Sequence, residues 1–231
     1  MNINTKSEPA SILVMVAHSD DETFGMAGTI ARHVSEGDRV FGAYLTNGVS
    51  SREDAKKAII DRELSANLAA KELGLEWIGK YDFPDNALDT IPLLDIIKTV
   101  EEVKKIVNPS LVYTHHFGDL NIDHKITFQA TMTAFRPQPN ETCQEIRAFE
   151  VPSATEYGVF GMQNAFVPNL YIDIEDFWDI KKATLEHYHT EMREPPHPRS
   201  IEGLDCLSKI RGMSAGLSRA EAFTILRKTL I

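Results

Sequence analysis

A histidine and three carboxylates stand together near the N-terminus, in the stretch Ala17–Glu22 with the sequence A-H-S-D-D-E. Imidazole and carboxylate groups bind divalent metals and move protons in catalysis. The apolar run Ser11–Ala17 predicts a buried strand, and Thr23–Val34 has apolar residues at helical spacing, with Gly37 able to end the helix. The cluster therefore falls between the carboxyl end of a strand and the N-terminus of a helix, where open α/β sheets bind ligands.

Two interpretations of this cluster are open. In the first, Ser19, Asp20 or Asp21 caps the helix, because its side-chain oxygen can accept hydrogen bonds from free N–H groups and acids suit the positive end of the helix dipole. In the second, the cluster binds a divalent cation. We favour the second, because three mutually repelling acids and a histidine are more than a cap needs, and a cation would relieve their repulsion.

A second polar cluster, Asp119–His124, follows another predicted strand, Ser110–Thr114. If the two strands are parallel neighbours, both clusters open on the same edge of the sheet. His18, Asp21 and His124 can then meet as two histidines and one carboxylate. Three protein ligands with an open fourth position for water are the usual arrangement of a catalytic zinc.

Several residues near this expected zinc site have more than one possible role. Asp20, as a carboxylate outside the ligand set, is suited to take a proton from the zinc-bound water. His124 alone could be a structural histidine at the start of a helix. Asp123 could cap that helix or support one of the histidines, while Asp119 and Asn121 could be turn residues.

The elements that must position these clusters alternate between strand and helix. Further strands are predicted at Arg39–Thr46, Trp77–Phe83, Glu145–Val151 and Asn169–Ile174. Further helices are predicted at Ser51–Leu73, Ile91–Val107, Asp123–Phe135, Glu175–Met192, Ile201–Met213 and Ser218–Leu230. This alternation predicts an α/β fold with right-handed crossovers around a mostly parallel sheet.

The net charge of −10 over 231 residues argues against nucleic acid or an anionic membrane as a partner, since neutralising phosphates needs a basic face. It leaves room for a small anionic substrate held by one or two arginines. Cys143 and Cys206 are far apart and not at metal-binding spacing, so we expect two free, buried thiols in a reducing compartment. The N-terminus lacks an apolar leader, and no stretch approaches the roughly 20 apolar residues of a membrane span. We therefore expect a cytoplasmic protein.

Both polar clusters resemble signature motifs of one family. The stretch Ala17–Glu22 resembles the A-H-P-D-D-E motif of the LmbE-like, or PIG-L, deacetylases, and Tyr113–His124 resembles their second motif, which ends in D-H. Weaker similarity spans nearly the whole chain, at Leu45–Gly48, Phe83–Asn86 and Arg211–Phe223. The resemblance implies a Rossmann-like three-layer αβα sandwich. It also implies a single LmbE/PIG-L-like deacetylase domain over residues 1–231, with a core at about 10–136 and C-terminal strands and helices at about 145–231.

The resemblance also implies a cofactor and roles for individual residues. Three positions match the family's ligands to one Zn²⁺: His18, Asp21 and His124. Asp20 matches the general base. Arg62 lies where the family often has an arginine near the substrate, and Asp85 matches an acid that often contacts sugar hydroxyls. Ser19 stands where the family usually has proline, which should keep the turn but loosen it.

One departure from the family pattern concerns the leaving group. Asn121 stands where several members have a histidine that stabilises the oxyanion or protonates the departing amine. Asparagine can donate a hydrogen bond but cannot act as an acid. The acid role then falls to Asp20 after it is protonated, or to His115, His116 or His197, and this step stays unassigned.

A proline-rich segment, Glu194–Ser200, lies between two predicted helices. Prolines on both sides should hold His197 and Arg199 stiffly, and we expect these residues to reach the site from the C-terminal part of the chain. The alternative is a rigid surface loop with exposed polar residues.

The favoured function is a zinc-dependent hydrolase that removes an N-acetyl group from an amino sugar, whether free, nucleotide-linked or lipid-linked, with zinc-bound water as the nucleophile. The expected catalytic residues are Asp20, Asn121 and His116. The expected substrate-binding residues are Arg62, Asp85 and His197. The alternatives are a metal-dependent amidase acting on another N-acyl or thiol-conjugate substrate, and a non-catalytic zinc- or sugar-binding protein. A homo-oligomer is compatible with the resemblance, since some relatives form trimers or hexamers.

Overall fold

The computed structural model of the chain describes residues 9–51, 55–159, 161 and 163–230. The strands are β1 (Ser11–Val16), β2 (Arg39–Tyr44), β3 (Glu76–Lys80), β4 (Leu111–His115), β5 (Glu145–Phe149), β6 (Leu170–Asp173) and β7 (Ala220–Lys228). The helices are α1 (Asp21–Glu36), α2 (Ala55–Leu73), α3 (Leu93–Val107), α4 (Ile122–Ala134), α5 (Trp178–Glu186) and α6 (Ile201–Met213). Two short 3₁₀ helices lie at Leu88–Thr90 and Glu175–Phe177.

The strands in the described ranges form one sheet in the order β3-β2-β1-β4-β5-β7-β6. The first five strands in this order, from β3 through β2, β1 and β4 to β5, are parallel to their neighbours. β7 runs antiparallel to both β5 and β6. The predicted α/β fold with a mostly parallel central sheet is therefore confirmed.

The central strand β1 packs against helices on both of its faces. Ile12, Val14 and Val16 belong to the core that includes α1. Leu13 and Met15 point to the opposite face and belong to the core that includes α3 and α4. All five side chains are fully buried, which explains why β1 is a continuous apolar run rather than an alternating one. The three layers of the predicted sandwich follow from this packing.

The order of the strands places both polar clusters in one crevice. β1 pairs with β2 on one side and with β4 on the other, so the chain winds outward from β1 in opposite directions. The carboxyl ends of β1 and β4 are therefore neighbours at the point where the winding reverses, which is where open α/β sheets bind ligands. α1 begins at Asp21, inside the first cluster, and α4 begins at Ile122, inside the second.

The prediction of a helix at Ser218–Leu230 is wrong, because Ala220–Lys228 forms the strand β7. Alanine, glutamate, leucine, arginine and lysine in this segment favour a helix by intrinsic propensity. The segment instead lies between two strands, where Phe223 pairs with Phe149 of β5 and with Leu170 of β6. Phe223 is fully buried, so tertiary pairing and burial override the local preference.

The predicted helix Glu175–Met192 is shorter than expected. It consists of a 3₁₀ turn followed by α5, which ends at Glu186. Turns follow as far as residue 192 and include Tyr188 and Glu191, both of which are buried. The predicted helix Ser51–Leu73 corresponds to α2, although residues 52–54 lie outside the described residues.

Cys143 and Cys206 are both free, as predicted. The expectation that both are buried is wrong for Cys206, which is exposed. α6 buries Leu204 and Ser208, four residues apart, and Cys206 lies on the opposite face of that helix. None of the helices in the described ranges has the length and apolar character needed to cross a membrane.

Candidate metal centre and active site

The first polar cluster lies on the turn between β1 and α1, and its acids do not cap the helix. Asp20 occupies the N-cap position of α1, yet its side chain makes no capping hydrogen bond. The Asp21 carboxylate accepts the backbone N–H of His18, which precedes the helix, at 2.9 Å. All three residues are buried. Helix capping therefore does not explain why these acids are buried here.

His18 and Asp21 of the first cluster meet His124 of the second. Asp21 lies between the histidines, with Oδ2 3.1 Å from His18 Nδ1 and Oδ1 3.3 Å from His124 Nε2. One ligand atom from each residue lies within 4.8 Å of the others, close enough to share a metal ion. Asp21 Oδ1 is buried and has no hydrogen-bond partner among the described residues, as expected for a metal ligand in a structure without the ion.

Each histidine is held from behind by a second carboxylate. Asp123 Oδ2 lies 3.1 Å from His18 Nε2, and Asp119 Oδ2 lies 2.8 Å from His124 Nδ1. Asp123 is itself fixed by the backbone N–H groups of Asn86 at 2.7 Å and Leu88 at 3.0 Å.

A carboxylate behind a ligating imidazole sets its tautomer and orientation and raises its basicity. Of the alternatives that the sequence left for Asp119 and Asp123, their contacts favour support of the two histidines.

The electrostatics of this cluster favour a bound cation. Burial alone would lower the pKa of His18, but the charge of Asp21 and the hydrogen bond to Asp123 outweigh burial and raise that pKa to about 10. Burial likewise opposes charge on His124, but Asp21 and Asp119 raise its pKa to about 9. Without an ion, the acids thus draw protons onto both histidines. A divalent cation would neutralise the same carboxylates in place of these protons. The residues therefore fit a metal site.

Asp20 lies in a group of buried charges beside the candidate metal-binding cluster, which consists of His18, Asp21 and His124. Its Oδ2 is 2.9 Å from Nη1 of Arg62, whose Nη2 lies 2.5 Å from Glu191 Oε1. A second guanidinium, that of Arg199, places Nη1 3.6 Å from the same oxygen of Asp20. The carboxylate of Asp20 is held in place by these contacts and lines the cavity above the metal-binding cluster.

Two further predicted residues, Asp85 and Asn121, line the same cavity. Asp85 Oδ2 accepts the Ser51 hydroxyl at 2.5 Å, and Asp85 Oδ1 lies 3.6 Å from His18 Nε2. Asn121 caps α4, with its side-chain oxygen accepting the N–H of Asp123 at 2.8 Å. Because the cap uses the amide oxygen, the amide nitrogen remains available to donate a hydrogen bond.

The cavity has a volume of about 110 Å³. It is lined by His18, Asp20, Gly48, Arg62, Asp85, Asn86, Asn121, Glu191 and Arg199. Gly48 has a φ of +73°, and a Cβ at this position would come within 3.1 Å of the His18 side chain, so glycine suits this turn both sterically and conformationally. The sequence turn signal at Gly48 thus marks a wall of the cavity.

His115 lies next to the cluster but supports the strand rather than the cavity. Its Nε2 accepts the N–H of Ala17 at 2.8 Å, and its ring stacks on that of His124 with centroids 3.9 Å apart. Burial, together with the nearby charge of His124, lowers the pKa of His115 well below its usual range. A neutral, fully buried imidazole in this position ties the end of β1 to the metal-binding cluster.

Two predicted histidines are not brought to the cavity. His116 donates from Nε2 to the carbonyl of Asn164 at 2.9 Å and packs edge-on against Phe166. His197 accepts the N–H of Arg199 at Nδ1, at 3.0 Å, and does not line the cavity. The proline-rich segment does reach the site as expected, but with Arg199.

Sequence reasoning missed Glu191 and Tyr188. Glu191 pairs with Arg62, and the Tyr188 hydroxyl donates to the backbone carbonyl of Ser19 beneath the first cluster. No local sequence motif marks either residue. Both lie in the turns after α5, where the sequence predicted a continuing helix. Their role depends on tertiary packing.

Comparison with known proteins now identifies the family. The model of the PIG-L family, described as GlcNAc-PI de-N-acetylase, matches residues 13–135, which is more than half of the chain. The chain therefore belongs to the PIG-L family of deacetylases, which are hydrolases. The resemblance in the two motifs is confirmed. The matched residues contain β1 to α4 and hence His18, Asp21 and His124, but not Glu191 or Arg199.

Relatives and solved structures support the same fold. The uncharacterized deacetylase YaiS of Escherichia coli K12 is 28% identical over 192 residues, covering 80% of this chain and 94% of that protein. The 4-carboxy-2-hydroxymuconate hydratase GalB from Pseudomonas putida KT2440 superimposes with a TM-score of 0.77 at 20% identity, covering 96% of this chain and 98% of that one. The N,N'-diacetylchitobiose deacetylase from Pyrococcus horikoshii gives a TM-score of 0.76 at 19% identity, covering 94% and 84%.

Proposed function

We propose that this protein is a zinc-dependent N-deacetylase acting on an N-acetylated amino sugar, free or linked to a nucleotide or lipid. The proposal is carried by the buried arrangement of His18, Asp21 and His124, in which each imidazole has a carboxylate behind it. Membership of the PIG-L family supports hydrolysis of an acetamide. The choice of zinc rests on the two-histidine, one-carboxylate donor set. A cytoplasmic location and a homo-oligomer stay predictions of the sequence.

His18, Asp21 and His124 would hold the ion. When bound, it supplies a Lewis acid that polarises the amide carbonyl and makes water more acidic. Asp20 accepts, at a carboxylate oxygen, the proton that water loses as it attacks the carbonyl carbon. Arg62 keeps that carboxylate in place through the 2.9 Å contact from Nη1.

The remaining groups act on the substrate's oxygens and nitrogen. Asn121 donates its amide N–H to the oxygen that becomes negatively charged. Once protonated, Asp20 returns its proton to the departing amine, and acetate and the free amino sugar leave. Asp85 accepts a sugar hydroxyl at the cavity wall. His116 and His197 receive no role in this scheme, because neither lines the cavity.

The proposed function is tested by measuring metal content and acetate release together. The purified protein is assayed by elemental mass spectrometry and against free, nucleotide-linked and lipid-linked N-acetyl sugars. We expect about one zinc per chain and acetate release that a chelator abolishes and added zinc restores. Metal without acetate release would favour the amidase alternative with another acyl group. A protein that takes up no metal when zinc is supplied would overturn the proposal.

A further inference from the structure

Two arginines line the cavity of the proposed active site. They differ in the distances from their terminal nitrogens to the nearby carboxylates. Arg62 comes from α2, and Arg199 comes from the proline-rich segment before α6. The sequence resemblance suggests that Arg62 contacts the substrate. The contacts of the two side chains lead to a different assignment.

Both terminal nitrogens of Arg62 form ion pairs with protein carboxylates, although the contact of Nη1 does not have hydrogen-bond geometry. Nη1 lies 2.9 Å from Asp20 Oδ2, and Nη2 lies 2.5 Å from Glu191 Oε1. The guanidinium carbon sits 5.6 Å from the centre of the Tyr188 ring, and the side chain is 4% exposed. A substrate oxygen could reach Arg62 only by displacing one of these partners. The residue is therefore arranged to hold Asp20.

Arg199 is anchored through Nε and one face of its guanidinium, while its terminal nitrogens make no hydrogen bond within the described ranges. Its Nε donates to the Pro152 carbonyl at 3.2 Å, and its guanidinium lies over the Phe24 ring at 4.6 Å. Nη1 is 3.6 Å from Asp20 and 3.9 Å from Glu191, which is longer than a hydrogen bond. Within the described ranges, neither terminal nitrogen makes a hydrogen bond. The side chain is 18% exposed and lines the cavity.

We propose that Arg199 is the arginine that contacts the substrate, and that Arg62 is a positioning residue that acts through Asp20. This inference rests on the proposed function for the identity of the reaction. A guanidinium presents its donors as a planar, pre-organised fork that pairs well with oxygen acceptors. Because Nε and the guanidinium face of Arg199 are already anchored, less entropy is lost when its terminal nitrogens bind.

The charges around the cavity indicate which oxygens Arg199 binds. Among the described residues, six buried carboxylates lie around the site: Asp20, Asp21, Asp85, Asp119, Asp123 and Glu191. They exceed the positive charge of the two arginines together with a divalent cation. Asp21, Asp119 and Asp123 belong to the metal-binding cluster or support its histidines. Asp20 and Glu191 already lie near the guanidinium groups, and Asp85 lines the cavity. A phosphate or carboxylate on the substrate would meet this excess of negative charge. Arg199 therefore binds the hydroxyl or ring oxygens of an uncharged sugar.

The test compares three variants on N-acetylglucosamine and its 6-phosphate. Arg199→Gln removes the fork, Arg62→Lys keeps a charge but cannot bridge two carboxylates, and Arg193→Gln is a matched control. Arg193 is exposed, lies directly before the proline-rich segment and does not line the cavity. Metal content and melting temperature establish that each variant is folded and loaded. Kinetic constants are measured beside calorimetric titration of N-acetylglucosamine, which does not require turnover.

We expect Arg199→Gln to raise KM and weaken sugar binding by about tenfold or more, with little change in kcat, because a hydrogen bond from a charged donor is lost. Arg62→Lys should lower kcat by about tenfold or more with little change in KM. Arg193→Gln should match the wild type, and the 6-phosphate should bind no more tightly than the neutral sugar.

Other results distinguish an error in the role of Arg199 from an error in the proposed reaction. Unchanged KM and sugar affinity in Arg199→Gln overturn the inference, as does tighter binding of the 6-phosphate that depends on Arg199. A wild type that binds the sugar but releases no acetate overturns the proposed reaction alone, provided that Arg199→Gln weakens binding. A wild type that neither binds nor hydrolyses the sugar overturns both.

Discussion

At the scale of the single residue, the proposed mechanism gives Asp20 a role in proton transfer and none in metal binding. Its carboxylate lies beside the ligand set but is not part of it, and it is held by Arg62. Asp20→Asn keeps the shape of the side chain and removes the basic oxygen. We expect turnover to fall by about 10²- to 10⁴-fold while zinc content stays unchanged. Acetate release and elemental analysis on the same sample measure the two effects.

The control for this change is Asp89→Asn, because Asp89 is exposed and lies outside the cavity. It should leave both turnover and zinc content unchanged. Wild-type turnover in Asp20→Asn would exclude Asp20 as the base. Loss of zinc from that variant would mean that Asp20 belongs to the ligand set.

Asp119 is the residue that tests the support of the histidines. It binds Nδ1 of His124 at 2.8 Å, and its carboxylate is fully buried. Asp119→Asn should weaken zinc affinity by about 10- to 100-fold, because the imidazole loses the acceptor that fixes its tautomer and raises its basicity. Competition with a chromophoric chelator measures the affinity. An unchanged dissociation constant would show that Asp119 is only a turn residue.

At the scale of the element, α1 is kinked, and a buried ion pair supplies hydrogen-bond partners for the backbone groups that the kink frees. Met26 leaves helical geometry with φ −151° and ψ 22°. The freed N–H groups of Gly28 and Thr29 bond to the carboxylate of Glu221 at 3.1 and 2.6 Å, and Lys181 Nζ donates to the same carboxylate at 2.7 Å. β7 thus supports the helix whose first turn carries the metal-binding cluster.

Removing one partner of this pair should be costly. Glu221→Ala leaves the buried Lys181 charge without its carboxylate partner, with only the Phe24 carbonyl still accepting from Nζ, and leaves two backbone donors without an acceptor. The free energy of unfolding should fall by about 3–5 kcal/mol as a result. The control is Glu175→Ala, which breaks a pair with Arg219 whose glutamate is 44% exposed and should cost about 1 kcal/mol or less. Denaturant unfolding curves compare the two. Equal losses would show that the kink does not depend on Glu221.

The C-terminal end of α1 carries a different titrating group, His33. Its Nδ1 lies 2.7 Å from Asp38, and its Nε2 lies 2.9 Å from the hydroxyl of Tyr113, which accepts a hydrogen bond from Arg147 at 2.6 Å. Burial lowers the pKa of His33 despite the opposing effect of Asp38. The neutral ring fits this chain, because Tyr113 can then donate to Nε2.

The sign of the resulting pH dependence follows from proton uptake. Below about pH 6.5 the unfolded chain protonates His33 while the folded protein does not, so the free energy of unfolding falls until the pH reaches the lowered pKa of the folded state. His33→Gln should lose this part of the decline. Unfolding curves at pH 7.5 and pH 5 measure it for both proteins. The same decline in both would show that His33 is not its source.

At the scale of the whole molecule, the β1 to α4 half was predictable because its local signals agree with its tertiary structure. The sequence of β1 is one apolar run, and polar clusters follow both β1 and β4. Once two parallel strands are inferred, His18, Asp21 and His124 are expected to meet. Gly37 ends α1 in a left-handed conformation with φ 97°, as its place in the sequence predicts.

The C-terminal half was less predictable because its residues act through distant contacts. β7 has a helix-favouring composition, and only its place between two strands makes it a strand. Glu191 is recognisable only when the turns after α5 are seen against α2 and the first cluster, whereas the proline-rich segment did predict that Arg199 reaches the cavity. For His116 and His197 the sequence suggested a role in the site, but the ring nitrogens of both make hydrogen bonds to other parts of the protein.

Ligand binding at a site assembled from such distant segments should stabilise the fold as a whole. His18 and Asp21 follow β1, and His124 lies on α4, so an ion shared among them binds the folded chain far better than the unfolded one. At a free zinc concentration 100 times the dissociation constant, we expect about 2.7 kcal/mol of added stability. A chelator should lower the melting temperature and added zinc should restore it. His124→Ala removes a ligand and should abolish the response, whereas His187→Ala, a change outside the metal-binding cluster, should keep it. A zinc-dependent rise that persists in His124→Ala would place the stabilising ion elsewhere, and the metal centre inferred from the two clusters would then be wrong.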